Sequence, residues 1–286
     1  MACSDIEKWH RHLSADGYCI IPDLASRRTI QGLNRELDPA LSSTRFCSGD
    51  FYGHRTKRIG GLPRRTTFAH DLILNDLILG LAKAVLEPKC DCIQLNVAQL
   101  IEIHPGEIIQ FPHRDDDMWP TEKHGAEYLL NVIWPLDTFT SHNGATRIYP
   151  GSHRMELESI DDLGEPVIPE CEPGSAICFV GSTVHGAGAN RTPNPRRAIV
   201  IGYSLGWLRP HENSSLAYPP SVAKSFPSQL AELVGYVQHR PNLGNYEGQC
   251  PSLLLGKGVP SGATDALRPD QAEAVREFAR QQQPGS

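Results

Sequence analysis

The chain has no long hydrophobic run. Its longest apolar stretches, such as Ala198-Ile199-Val200-Ile201, are only strand-length, far short of the roughly 20 residues that span a bilayer. No membrane partner is therefore expected. The first ten residues, Met1 to His10, have no apolar signal-peptide core, and the last three do not spell a peroxisomal signal. The expected location is cytoplasmic. An excess of positive charge is missing too. Lys and Arg number 27 against 33 Asp and Glu, a net charge of −6. A nucleic-acid partner needs clustered cations to meet phosphates, so that class is excluded. The eight cysteines form no Cys-x-x-Cys pair, and Cys90-Asp91-Cys92 is too tight for ordinary zinc spacing. Reduced thiols are the expectation. With 40% hydrophobic and 21% charged residues in 286, the chain is neither disordered nor too short for a real core.

There is no internal repeat and no low-complexity tract. Ile6, Trp9 and Leu13 mark a helix over 4–15, with Ser4 as N-cap and Gly17 as its stop. A short strand, 18–22, and a helix, 28–42, follow. Residues 46–67 read as an irregular, basic loop, and 71–86 as one apolar-striped helix. The pattern then turns to period two. Ile93, Leu95, Val97, Ile101 and Ile103 alternate with Gln94, Asn96, Ala98 and Glu102. Further strands are predicted at 107–111, 128–136, 145–149, 166–169, 175–180 and 197–204, with turns at Asn143-Gly144, Pro150-Gly151 and Pro173-Gly174. Closely spaced strands without intervening helices indicate a sandwich or barrel rather than a parallel sheet. Helices are again predicted over 219–235 and 269–282. The reading is an α+β fold with an all-β centre flanked by N- and C-terminal helices.

Among 12 histidines there is one His-x-Asp, His113-Arg114-Asp115. In an extended segment, residues i and i+2 share a face, so an imidazole and a carboxylate can converge. Alone the motif is weak. A second histidine, His185, follows a strand candidate, and eleven residues later comes Arg196 at the head of another strand. Two histidines and one carboxylate leave open positions on a metal, the arrangement of non-haem Fe(II) oxygenases. An arginine fork suits the far carboxylate of a dicarboxylic co-substrate.

Residues 93–204 resemble the phytanoyl-coenzyme A dioxygenase-like family of Fe(II)/2-oxoglutarate oxygenases. The matching stretches are Gln110-Phe111-Pro112-His113-Arg114-Asp115, then Asn143-Gly144-Ala145-Thr146-Arg147-Ile148-Tyr149-Pro150-Gly151-Ser152-His153, then His185-Gly186-Ala187-Gly188-Ala189-Asn190-Arg191. The resemblance implies a double-stranded β-helix (a jelly-roll or cupin-like barrel) holding iron inside one end. The chain reads as one oxygenase domain over 1–286: a helical part over 1–90, a β core over 91–205 and a C-terminal lid or helical extension over 206–286, the last matching the family less clearly. The resemblance further implies Fe(II), 2-oxoglutarate and dioxygen as cofactor and co-substrates. His113, Asp115 and His185 match the iron ligands, and Arg196 the 2-oxoglutarate clamp. Gln110 and Thr146 match co-substrate contacts. Some members carry a hydroxyl residue two past the distal histidine; here that residue is Ala187, leaving Thr146 or Asn131 to complete the clamp. Related iron halogenases lack the carboxylate that Asp115 supplies, so halogenation is not expected.

Arg196 and Arg197 are adjacent, so only one can point into a barrel, and the apolar flanks do not decide which. The resemblance favours Arg196. Met118 and Trp119 follow the ligands closely and are set at the pocket mouth as substrate contacts. Arg58, in the basic loop, is a third substrate candidate. Asp116 and Asp117 fit a solvated loop, and His104, His124, His142, His153 and His211 fit surface or structural roles. The expected partner is a mid-sized, largely apolar small molecule of natural-product or lipid-like type, hydroxylated by default, with desaturation or rearrangement as variants. A homodimer is left open. A zinc hydrolase on the same His-Asp-His set and a metal-free binding module are the competing readings.

Overall fold

The computed structural model describes residues 3–122 and 125–282. The fold mixes α and β elements, and its sheets are antiparallel. Helix α1, Cys3–Asp16, ends where Gly17 takes a positive φ, and strand β1, Tyr18–Ile21, follows. Helix α2, Arg27–Ser43, starts at Ser26, whose hydroxyl accepts the Thr29 N–H, satisfying one of the orphan donors of a helix start.

Two expectations change in the next segment. The 46–67 loop contains a strand, β2, Thr56–Ile59, paired with β3. The single helix expected over 71–86 is two, α3 (Phe68–Ile73) and α4 (Asp76–Leu86). Asn75 divides them because its side chain accepts the N–H groups of Leu77 and Ile78, a helix-start contact that an unbroken helix would not allow.

The remaining strands are β3 (Ile93–Ile103), β4 (Leu129–Pro135), β5 (Thr146–Ile148), β6 (Ala176–Val180), β7 (His185–Ala187) and β8 (Arg196–Leu205). Six form one antiparallel sheet in the order β1-β6-β4-β8-β3-β2, and β5 pairs with β7 in a second. The expected strand over 107–111 is absent, and 166–169 contributes one bridge, Val167 to Ile148. Strand β7 went unpredicted, being short and rich in glycine and alanine. After a short α5 (Ser214–Ala217), the helix expected over 219–235 is broken into α6 (Pro220–Ala223) and α7 (Ser228–Leu233), short pieces divided at Pro227. Helix α8, Pro269–Gln282, matches its expectation. The cysteines with described side chains are all free.

The large sheet is covered on both faces. One face carries Leu130, Val132, Ile199, Ile201 and Tyr203 into a core with Leu33, Leu37, Leu72, Ile78 and Leu81 of the helices. The other carries Ile133, Ile177, Phe179 and Ala198 against Ala145 and Ile148 beside the small sheet. Each such side chain contributes roughly 1.5–3 kcal/mol when fully buried. Strand β3 carries a bulge between Leu95 and Val97, which reverses the side-chain alternation. Leu95 and Ala98 therefore both join the helix-side core, while Val97 and Gln99 face the space between the sheets.

Candidate active site

The segment before Asp115 runs beside β7 without being a regular strand. His113 and His185 exchange backbone hydrogen bonds (2.9 and 3.0 Å), and Gln110 donates its N–H to the Ala187 carbonyl at 3.0 Å. This antiparallel bridge places the two imidazoles opposite each other, with ring centroids 4.5 Å apart. Asp115 then opens a tight 3₁₀ turn to Met118. Its Oδ1 lies 3.4 Å from His113 Nε2 and its Oδ2 3.6 Å from His185 Nε2. One ligand atom from each residue falls within 4.8 Å of the others.

The hydrogen bonds around this cluster fix its donors. His113 Nδ1 is 2.8 Å from the Phe111 carbonyl and His185 Nδ1 3.1 Å from the Thr183 carbonyl. A carbonyl only accepts, so each Nδ1 carries the proton and each Nε2 lone pair faces the cluster. Burial works to raise the Asp115 pKa, but His185, His113 and the Asn131 amide outweigh it and hold the carboxyl at about 2. Burial lowers the His185 pKa, and Asp115 opposes it. Burial lowers the His113 pKa as well, but Asp115 outweighs it and the net shift is upward; two imidazole Nε2 atoms and one carboxylate are a donor set that suits Fe(II).

These residues line a cavity of about 460 Å³ together with Arg196, Arg58, Gln110, Thr146 and Met118. Arg196 is 3% exposed. Its guanidinium lies over the Phe139 ring at 4.4 Å and donates from Nη2 to the Gly144 carbonyl, while Nε has no partner among the described residues. Burial lowers its pKa to about 9, against the pull of Asp137. A buried cation with no carboxylate in hydrogen-bond contact fits an anionic ligand that arrives from outside. Gly144 stands in a left-handed turn (φ 84°), where a Cβ would sit 3.2 Å from the Gly188 carbonyl, so this turn needs glycine. Arg197 points to the other face of β8. It pairs with Glu102 and Asp38, both at 2.7 Å.

The family profile described as phytanoyl-CoA dioxygenase matches residues 13–198. The dioxygenase aneA of Aspergillus aculeatus is 32% identical over 218 residues, covering 70% of this chain and 73% of its own. The chain belongs to the phytanoyl-CoA dioxygenase family. It is an Fe(II)- and 2-oxoglutarate-dependent dioxygenase. Among solved structures, the non-haem α-ketoglutarate-dependent epimerase SnoN from nogalamycin biosynthesis superposes with a TM-score of 0.62 at 19% identity, over 73% of this chain and 87% of that one. HygX from Streptomyces hygroscopicus, solved with nickel and 2-oxoglutarate bound, gives 0.57 at 14% identity, over 73% and 89%. Membership of this family sets aside the hydrolase and the metal-free binding module.

Two of the expected site residues stand elsewhere in this dioxygenase. Trp119 is not at the pocket mouth. The turn from Asp115 swings it into the core, 8% exposed, where its Nε1 donates to the Arg209 carbonyl at 3.0 Å and its ring packs near Tyr128. Asn131, set beside the co-substrate, instead donates its amide to Asp115 Oδ2 at 2.8 Å. Gln110 shares its amide between two backbone groups, donating to the Phe51 carbonyl at 3.0 Å and accepting the Ala187 N–H at 3.1 Å.

Other expectations resolve by location. Arg58 lies over the Tyr52 ring at 4.7 Å. Burial lowers its pKa, and Asp115 is among the charges that oppose this. Asp116 is buried against Gly181 rather than solvated. His124 lies outside the described residues. The later part of the 206–260 tail packs on the helix-side core through Tyr218, Ala223 and Leu230; its cavity-lining residue is His211. Phe51 and Tyr52 line the cavity from the 46–67 segment, which was expected to border the pocket; Ile108, Asn96 and Gln99 line it and went unpredicted, and His211, expected at the surface, is exposed and lines it too. Alternation along β3 pointed to one face for Val97 and Gln99, but nothing in it says which face is hollow.

Proposed function

We propose that His113, Asp115 and His185 hold Fe(II) and that Arg196 receives the C5 carboxylate of 2-oxoglutarate. The observation that carries this is the convergence of three ligand atoms within 4.8 Å in the cavity that also holds a buried guanidinium with no ion-paired carboxylate among the described residues. When bound, iron activates dioxygen while 2-oxoglutarate is decarboxylated to succinate, and a substrate is oxidised in the same cycle. The protein presents two Nε2 lone pairs and an ionised carboxylate, keeps Asp115 turned inward through Asn131, and shields the cavity floor with Ile133 and Phe179. Arg58 reads better as a second cation for the co-substrate than as a substrate contact. 2-Oxoglutarate is a dianion, and Arg58 lies close enough to Arg196 and Asp115 for both charges to couple to it. Thr146, opposite Ala187 in the β5–β7 pair, lines the same end and completes the clamp where Ala187 offers no hydroxyl.

The two facing sheets form a double-stranded β-helix. The chain is one domain, with its β core over 91–205, the helical part over 1–90 and the extension over 206–286. The substrate is a mid-sized, largely apolar small molecule of natural-product or lipid-like type, and hydroxylation is the default outcome. Val97, Ile101, Ile103 and Val200 line the cavity, and Phe51, Ile108 and Met118 stand 39–69% exposed at its rim, a composition suited to an apolar ligand. The test is succinate release with Fe(II) and 2-oxoglutarate across a panel of natural-product and lipid-like candidates. Activity that survives unchanged in Asp115→Ala sinks the assignment.

A further inference from the structure

Asn96, Gln99 and the exposed His211 add polar groups to the cavity lining. Asn96 occupies the β3 bulge: Leu95 pairs with Tyr203 and Val97 with Gly202, leaving Asn96 outside the β3–β8 ladder. Its freed groups hold the tail. The Asn96 carbonyl accepts the Glu212 N–H at 2.9 Å, and its Oδ1 accepts the His211 N–H at 2.8 Å. Glu212 then fastens the tail on its other side, accepting the Gly61 N–H and the Tyr218 hydroxyl, each at 2.6 Å. A Cβ on Gly60 would stand 2.5 Å from Glu212 Oε1, so the glycine makes room for this contact. His211 is thereby fixed as a cavity-lining residue, with Gln99 lining the same cavity from β3. Among the described residues, neither the Gln99 amide nor the His211 ring has a hydrogen-bond partner.

Other charged groups that line the cavity have hydrogen-bond partners of their own. Asp50 meets His54 at 2.9 Å, Glu107 accepts from Arg55 N and Thr56 Oγ1, Arg114 donates to the Ser152 and Met155 carbonyls, and Asp117 is engaged elsewhere. Arg58 and Arg196 remain, and the reading above gives both to 2-oxoglutarate. An amide and an imidazole can each donate to or accept from a neutral oxygen. We propose that Gln99 and His211 form a substrate subsite that receives one uncharged oxygen, a hydroxyl or carbonyl, on an otherwise apolar neutral molecule. Asn96 and Glu212 act as positioning residues for it. The proposal rests on the iron and 2-oxoglutarate reading and adds the chemical class of the substrate.

The test titrates 1-naphthol, naphthalene and 1-naphthoate by ligand-observed NMR onto the full chain loaded with Ni(II) and 2-oxoglutarate. 1-Naphthol should bind about fivefold or more tighter than naphthalene, as one net hydrogen bond provides, and tighter than 1-naphthoate. Gln99→Ala and His211→Ala should each shrink the advantage over naphthalene. Glu212→Ala should do the same without removing a contacting group. 2-Oxoglutarate binding, read in the same samples, reports an intact fold. Preference for 1-naphthoate, a 1-naphthol affinity no better than naphthalene's, or an undiminished advantage in both Gln99→Ala and His211→Ala overturns the proposal alone. Failure of the wild-type protein to bind Ni(II) together with 2-oxoglutarate overturns it along with the reading beneath it.

Discussion

Asn131 donates its side-chain amide to Asp115 Oδ2 at 2.8 Å from the centre of a buried strand. The residue across the ladder is Gly202, where a Cβ would stand 3.2 Å from Asn131 Oδ1. The sheet thus leaves space for an amide that reaches the carboxylate at the centre of the site. Partners behind a metal ligand typically affect metal affinity by about 10–100-fold. Asn131→Ala should therefore weaken Fe(II) or Ni(II) binding by about that factor, measured by metal titration of the purified protein. The 2-oxoglutarate requirement at saturating metal should change much less.

Trp119→Ala should act on stability rather than on substrate. The indole is buried and its N–H is satisfied by Arg209. Truncating a buried aromatic costs about 3–5 kcal/mol, and here a carbonyl also loses its donor. A large fall in urea midpoint is expected, together with near-parental substrate use per folded molecule at low temperature. Met118→Ala, at the exposed rim of the cavity, should show the opposite pattern.

The order His113, Asp115, His185, Arg196 was legible because each residue type carries chemistry and the spacing narrows the choice. The antiparallel centre was legible because period two persists along β3. The break at Asn75 was hidden because the apolar stripe continues across it, so only the capping geometry separates two helices from one. Trp119 illustrates a different limit. Closeness to Asp115 in sequence set it near the metal, yet a single 3₁₀ turn redirected it into the core. Alternation along β8 could not choose between Arg196 and Arg197, because a sheet covered on both faces is apolar on both. The acids decided it. Glu102 and Asp38 wait on the helix side, and the other face has none in contact.

The depressed Asp115 pKa makes a prediction for the metal-free protein. Its folded value is about 2, against an ordinary aspartate value near 3.8. A group whose folded pKa is depressed stabilises the fold above its unfolded pKa, and that stability is lost as pH falls through the folded value. The loss should lie between about pH 4 and pH 2 and amount to about 2 kcal/mol. Asp115→Asn cannot titrate there. Its urea midpoint, followed against pH without metal, should fall less steeply over that window than the parent's.

Arg196 and Arg197 are neighbours in sequence with opposite surroundings, so they should fail in opposite ways. Among the described residues, Arg196 has an unpartnered Nε and no ion-paired carboxylate, and it lines the cavity. A charge-assisted fork to a carboxylate is worth on the order of 1.5–3 kcal/mol, and each roughly 1.4 kcal/mol is tenfold in affinity. Arg196→Ala should therefore raise the 2-oxoglutarate requirement at least about tenfold in a succinate-release assay, with little loss of thermal stability, since burial already disfavours the cation. Arg197→Ala removes a bridge between Glu102 of β3 and Asp38 of α2 and leaves the buried Glu102 with one fewer donor. It should lower the melting temperature and leave the 2-oxoglutarate requirement near the parent's. Arg197→Lys should recover only part of that stability, because an ammonium cannot present the two separate N–H groups that reach Glu102 and Asp38 in their fixed geometry. The reverse assignment, with 2-oxoglutarate dependence moving on Arg197 and stability on Arg196, would place the clamp on the wrong face of β8.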